Sequence, residues 1–265
     1  MPTKSVKYIC KCEFAELWPY IPENGKCTLE EFEKIKTKIQ IAADKFENDL
    51  LEAFGKEKPP LNEIVKESFA CEDDHLQNVD TRHYYFMFRM LGALLVVREI
   101  NRFVMPFEEK CGSVSVEEKY IRIRLRILRY IVGDIKTMFH QFCRAKKVPL
   151  SEARSTWTRK HNGFYKLHNM VHLGALPIID DPFILLFIAR DNIELLMRAN
   201  NQTIGIKNLS KLIDKERNEK ESVWNINDLD AMEAINKCAN SFIHAGERRY
   251  YFLPFLASMY MEKIS

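Results

Sequence analysis

The sequence predicts an all-α protein, a helical bundle of long antiparallel helices with an N-terminal helical extension. Three observations carry that prediction. Capping-box patterns, Ser or Thr followed three residues later by Glu, open long windows whose apolar residues recur at three- and four-residue steps. Nine glycines in 265 residues is about half the usual ~7% share, too few for a turn-rich β fold. Only "YIRIRLRIL" (120–128) alternates like a strand, and its place inside a long capped window favours helix.

The elements follow in order. Thr28-x-x-Glu31 opens a helix that closes on Gly55, with Leu29, Phe32, Ile35, Ile39, Phe46 and Leu50 on one stripe. Pro59-Pro60 and an acidic cluster then mark a linker over 56–80 around one short helix. A third helix starts at Asp80-Thr81 and runs to about Met105, stopped by Pro106. Ser115-x-x-Glu118 opens a fourth, reaching Lys147 before Pro149, and Ser151-Glu152 a fifth that ends at Gly174. Residues 182–199 read as a strongly apolar helix. The polar stretch 200–227 contains a short helix, "LSKLIDKERN", and reads as an exposed excursion. Asp228 caps a helix through His244, and "FLPFLASMYMEKI" follows. The linker divides the chain into an extension, 1–75, and a bundle core, 76–265.

Composition excludes several classes. Forty basic against 37 acidic side chains leave a net charge of +3, too small to signal nucleic acid without a local patch. The longest uninterrupted apolar runs, such as "PFILLFIA" (182–189), fall far short of the ~20 residues that cross a bilayer. The N-terminus lacks the apolar core of a signal peptide, so a soluble cytoplasmic protein without membrane association is expected. Seven cysteines, an odd number without paired spacing, read as reduced thiols. Cys10-Lys-Cys12 with Cys27 lacks both zinc-knuckle spacing and a fourth ligand. His161, His168 and His172 offer only one i, i+4 pair without a zincin glutamate, so no metal and no cofactor are expected. Gly-rich phosphate loops, GxSxG and EF-hand loops are absent from the sequence.

One pattern recurs. "KLHNMVHLG" (166–174) and "KCANSFIHAG" (237–246) each carry a lysine, an asparagine and then Val/Ile-His-x-Gly at a helix end. Five residues separate Lys166 from His172, and six separate Lys237 from His244. An interval of seven is about two helical turns, so Lys237 and His244 share a face, with Asn240 one turn before the histidine. Imidazole titrates near neutrality and suits proton transfer, while a neighbouring cation stabilises charge developing on a phosphate. The same histidine also suits a plain structural role, because helix C-termini favour it through the dipole and the last free carbonyls.

A cation, four to six residues and a histidine near a helix end in an all-α bundle resembles the HEPN superfamily, the higher eukaryote and prokaryote nucleotide-binding domains. The resemblance spans roughly 100 of the 265 residues. It implies RNA as the partner, metal-independent RNase activity of a toxin or antiviral defence type, and an active site assembled across a dimer. It assigns catalysis to His244, Lys237, Asn240 and His172. The family motif begins with Arg and continues with a polar residue. Here Lys stands at both places, without the bidentate fork of arginine, and Leu167 and Cys238 follow. A HEPN-shaped domain that has lost catalysis fits the same residues.

Arg122, Arg126 and Arg129 form a basic stripe opposite Ile121, Leu125, Leu128 and Val132. With Lys160 in the basic, Trp157- and Phe164-bearing stretch 144–166, and with Arg248 and Arg249 after His244, they are the candidate RNA-binding residues. The same features describe a solvated face or a protein interface. The sequence therefore supports an RNA-directed HEPN-like protein. The alternative is a non-catalytic helical subunit that binds RNA or a protein partner within a larger complex.

Overall fold

A computed structural model describes residues 21–22, 27–54, 57–70, 79–102, 116–144, 182–200, 208–219, 222–246 and 250–264. Among the described residues the fold is all-α, with no strand. The helices are α1 (Leu29–Phe54), α2 (Leu61–Phe69), α3 (Val79–Arg98), α4 (Val116–Arg144), α5 (Ile184–Asn200), α6 (Leu209–Asn218), α7 (Ile226–Ala245) and α8 (Phe252–Ile264). A 3-10 turn, Ile100–Arg102, follows α3, so the regular helix stops short of the Pro106 signal. The helix expected from Ser151 to Gly174 lies outside the described residues.

Two compact units divide these helices. The first is drawn from Met1–Pro59, Asn78–Val148 and Tyr250–Phe252, the second from Pro60–Gln77, Pro149–Arg249 and Leu253–Ser265. Each unit therefore takes residues from both sides of position 75.

In the first unit, α1 begins as its capping box requires. Thr28 Oγ1 accepts from the Glu31 N–H at 3.2 Å, and Glu31 Oε2 accepts from the Thr28 N–H at 2.8 Å. Its stripe of Phe32, Ile39, Ala43, Phe46 and Leu50 is buried, and the helix packs on α3 and α4. Helix α3 is buried continuously from Tyr85 to Leu94. Within that run Arg89 is wholly buried, its guanidinium 3.7 Å from the Tyr85 ring centroid and 5.0 Å from that of Tyr250. Helix α4 settles the ambiguous "YIRIRLRIL" as helix: Ile121, Leu125, Leu128, Val132 and Ile135 are buried at steps of four and three.

Two polar devices lie within that core. Glu47 on α1 pairs with Arg98 of α3 and, at 2.9 Å, with Lys58. Burial alone would raise its pKa, but these cations hold the carboxyl below the usual range. Asp134 on α4 is 9% exposed, and its Oδ2 accepts the Phe252 N–H at 3.0 Å. Burial pushes its pKa well up, against the hydrogen bonds from the Phe252 and Tyr251 N–H groups. Tyr130 and Tyr251 stack beside it with ring centroids 4.4 Å apart.

In the second unit, α7 is the central helix, with α2, α5 and α6 packed on it. The stretch 200–227 is thus not a simple exposed excursion. Helix α6 buries Leu209, Leu212, Ile213 and Glu216, one face at helical spacing. Helix α7 starts two residues before Asp228: Asn225 is its N-cap, and its Oδ1 accepts the Asp228 N–H at 2.9 Å. Asp228 takes a different role, accepting from Asn62 Nδ2 at 3.1 Å and from the Tyr260 hydroxyl at 2.8 Å. Burial and the Asp228 carboxylate together raise the Tyr260 phenol pKa. In α8, Pro254 falls in the first turn, where a missing N–H leaves no helical bond unmade.

Candidate functional site

The candidate site lies along α7. Its buried stripe contains Leu229, Met232, Asn236 and Ala239, and the face flanking it carries Asp230, Glu233, Lys237, Asn240 and His244. Helical periodicity fixes this division, since 237, 240 and 244 fall at steps of three and four. His244 is exposed in the last turn. The helix stops one residue later because Gly246 turns left-handed, φ 65° and ψ 22°, and its N–H donates back to the Phe242 and Ser241 carbonyls. A side chain with a Cβ would be penalised there, so the Ala-Gly after His244 is a termination signal that leaves the imidazole at the helix tip.

The side chains before His244 are tied together. The Lys237 side chain is 73% exposed, with Nζ 3.8 Å from Glu233 Oε1. Asn240 Nδ2 donates to Asn236 Oδ1 at 3.2 Å, and Asn236 Nδ2 donates to Ser210 Oγ on α6 at 3.0 Å. Ser210 Oγ donates in turn to Glu233 Oε1 at 3.3 Å. Asn236 is 1% exposed, so this chain of donors runs through the α6–α7 contact before ending on a carboxylate. The Ser210 N–H is itself capped by Asn208 Oδ1 at 2.9 Å, which fixes the serine at the start of α6.

Further along the same face, Asp230 lies between two cations, Lys66 Nζ and Arg217 Nη2, each at 2.8 Å. Burial would raise its carboxyl, but the hydrogen bonds and charges of Lys66 and Arg217 hold it below the usual range. The hydrogen bond to Asp230 raises Lys66 correspondingly, against partial burial. These pairs lock α2 and α6 onto α7.

The structure thus brings Lys237, Asn240 and His244 onto one accessible face of α7. His172, Lys160, Arg248 and Arg249 lie outside the described residues. Arg122, Arg126 and Arg129 stand on α4 in the first unit. Arg126 is exposed, whereas Arg129 Nη1 donates to the Ile21 carbonyl at 2.8 Å, so part of the basic stripe is anchored to the fold. Among the described residues no group of three or more His, Cys, Asp or Glu is gathered to hold a metal ion.

Ser210, Asn236 and Glu233 were not predicted as site residues. The legible signal was Asn236, a polar residue at a step of four from Met232 and three from Ala239 on an otherwise apolar stripe. A polar residue at such a position requires a buried partner. Ser210 gives no such signal, because the contact between α6 and α7 supplies its partners.

No known protein-family model, curated protein or solved structure matches the chain.

Proposed function

We propose that this is a HEPN-like, RNA-directed protein that cleaves RNA without a metal ion, with α7 carrying the reacting face. The observation that supports the reading most is the alignment of Lys237, Asn240 and the exposed His244 on one helix face. In this reading the 2′-oxygen of a ribose forms a bond to the adjacent phosphorus and the P–O5′ bond breaks. The 2′-hydroxyl proton passes to water, and the protonated imidazole of His244 gives its proton to the leaving 5′-oxygen. Lys237 lies two turns back along the helix and supplies positive charge toward the phosphate. Arg248 and Arg249, which follow His244 in sequence, and Lys160 serve as phosphate contacts. Arg122 and Arg126 on α4 offer a separate basic surface, and Arg129 is held by the Ile21 carbonyl. A second copy of the chain completes the site, as the resemblance implies.

A second reading has its own observation. The Lys237 ammonium lies 3.8 Å from Glu233 on the same helix, which lowers the charge it offers a ligand. That favours a helical subunit that binds RNA or a protein without cutting. Incubating single-stranded RNA with the full chain and EDTA separates the two. Cleavage lost in His244→Ala supports the nuclease, while salt-sensitive binding without cleavage supports the subunit.

A further inference from the structure

The hydrogen-bond chain behind Asn240 has a direction, and the direction selects a ligand. Glu233 Oε1 accepts, so Ser210, whose hydroxyl has one proton, spends that proton on it at 3.3 Å. Its oxygen then accepts, and the Asn236 amide must turn its NH2 group toward Ser210, at 3.0 Å. That leaves Asn236 Oδ1 facing Asn240, which must answer with its own NH2, at 3.2 Å. The orientation of both amides follows from the carboxylate at the end of the chain and needs no separate assignment. Asn236 is 1% exposed and wedged in the α6–α7 contact, so it is not free to flip. Asn240 is half-buried, one turn before His244, and among the described residues no donor is bonded to its Oδ1.

We infer that Asn240 presents a fixed hydrogen-bond acceptor beside His244 and is a specificity residue for the ribose 2′-hydroxyl, with Ser210, Asn236 and Glu233 as its positioning residues. The inference rests on the RNA reading above. A phosphate oxygen, which can only accept, gains nothing from the Asn240 carbonyl. The second amide N–H can donate to a phosphate or a ribose oxygen alike, so the discrimination rests on Oδ1 alone. A 2′-hydroxyl has the donor that Oδ1 lacks, and deoxyribose has none. Phosphate contacts fall to the cations and sugar identity to Asn240. A pinned amide also loses little rotational freedom on binding, which strengthens discrimination more than a mobile one would.

The test compares binding of one single-stranded sequence made as RNA and as DNA, in EDTA, with all chains carrying His244→Ala so that the RNA stays intact. The RNA-to-DNA affinity ratio is the readout, because a merely structural role would not move it. The His244→Ala chain should prefer RNA. Adding Asn240→Ala or Ser210→Ala should lower the preference by about tenfold, the scale of one hydrogen bond. Adding Ser210→Thr, which keeps the oxygen, should preserve it. Circular dichroism confirms that each chain is folded, and Asn240→Ala, at a half-buried site, carries the test if Ser210→Ala fails to fold. An equal affinity for RNA and DNA, or a ratio unmoved by Asn240→Ala, overturns the inference while leaving RNA binding in place. Binding of neither nucleic acid overturns the RNA reading and this inference with it.

Discussion

Replacing Asp134 by alanine should cost clearly more stability than replacing it by asparagine, and only the wild type should show the associated pH dependence. The carboxyl lies between α4 and the 250–252 segment of the first unit, accepting backbone N–H groups from Phe252 and Tyr251. Alanine removes the acceptor and leaves these donors buried, at about 1–3 kcal/mol for each one orphaned. Asparagine keeps an acceptor oxygen and cannot ionise, so the alanine variant should be less stable by at least about 1 kcal/mol. The pH effect has a definite sign. The folded pKa lies above the ordinary 3.8, so the folded state holds this proton more tightly than the unfolded chain. Its contribution is complete below 3.8 and is lost as pH rises through the raised folded value. Urea unfolding followed by circular dichroism, from about pH 4 to pH 8, gives the stability difference between wild type and Asp134→Asn across that window. That difference should fall as pH rises. A difference that is flat with pH, or alanine and asparagine variants of equal stability, would refute the assignment of a buried, proton-holding carboxyl.

Other outcomes follow from the second unit. Asp230→Asn should cost about 1 kcal/mol at neutral pH, because two partly exposed cations lose their shared carboxylate. Since the folded pKa of Asp230 lies below 3.8, that stabilisation is present above 3.8 and is lost as pH falls through the folded value, so mutant and wild-type denaturation curves should converge in acid. Ile213→Ala, at a wholly buried α6 position, should cost about 2–5 kcal/mol in urea unfolding. If α6 were an exposed excursion, the same change would cost almost nothing. Asn225→Ala should destabilise by about 1 kcal/mol through the lost N-cap, whereas Asn227→Ala, two residues after the cap and exposed, should be neutral.

Local chemistry was the legible part of this fold. Thr28 and Glu31 cap α1 reciprocally because both partners lie within one turn, and α8 coincides with the apolar segment that begins at Phe252. The start of α7 was misread because Asn225 and Asp228 are both good caps, and the choice depends on where Asp228 is drawn by Asn62 and Tyr260, which lie 166 and 32 residues away in sequence. Helix α6 was legible as a short helix over "LSKLIDKERN", but its burial was masked by its average polarity: five of its ten residues are charged, although Leu209, Leu212 and Ile213 share a face. At the site, spacing was enough to align Lys237, Asn240 and His244. The buried links behind Asn240 depend on Ser210, which α6 brings to α7. Likewise, the Asp134 contact joins residues 118 positions apart, a distance over which local pattern carries no information.

The most direct test of the central claim is RNA cleavage by the full chain in EDTA, wild type against His244→Ala, with the ends of the products identified. The account predicts cleavage by the wild type that leaves 2′,3′-cyclic phosphates. It also predicts a loss of about 100-fold or more in the variant, with its circular dichroism unchanged. RNA left intact by the wild type, or cut equally well by His244→Ala, would contradict it.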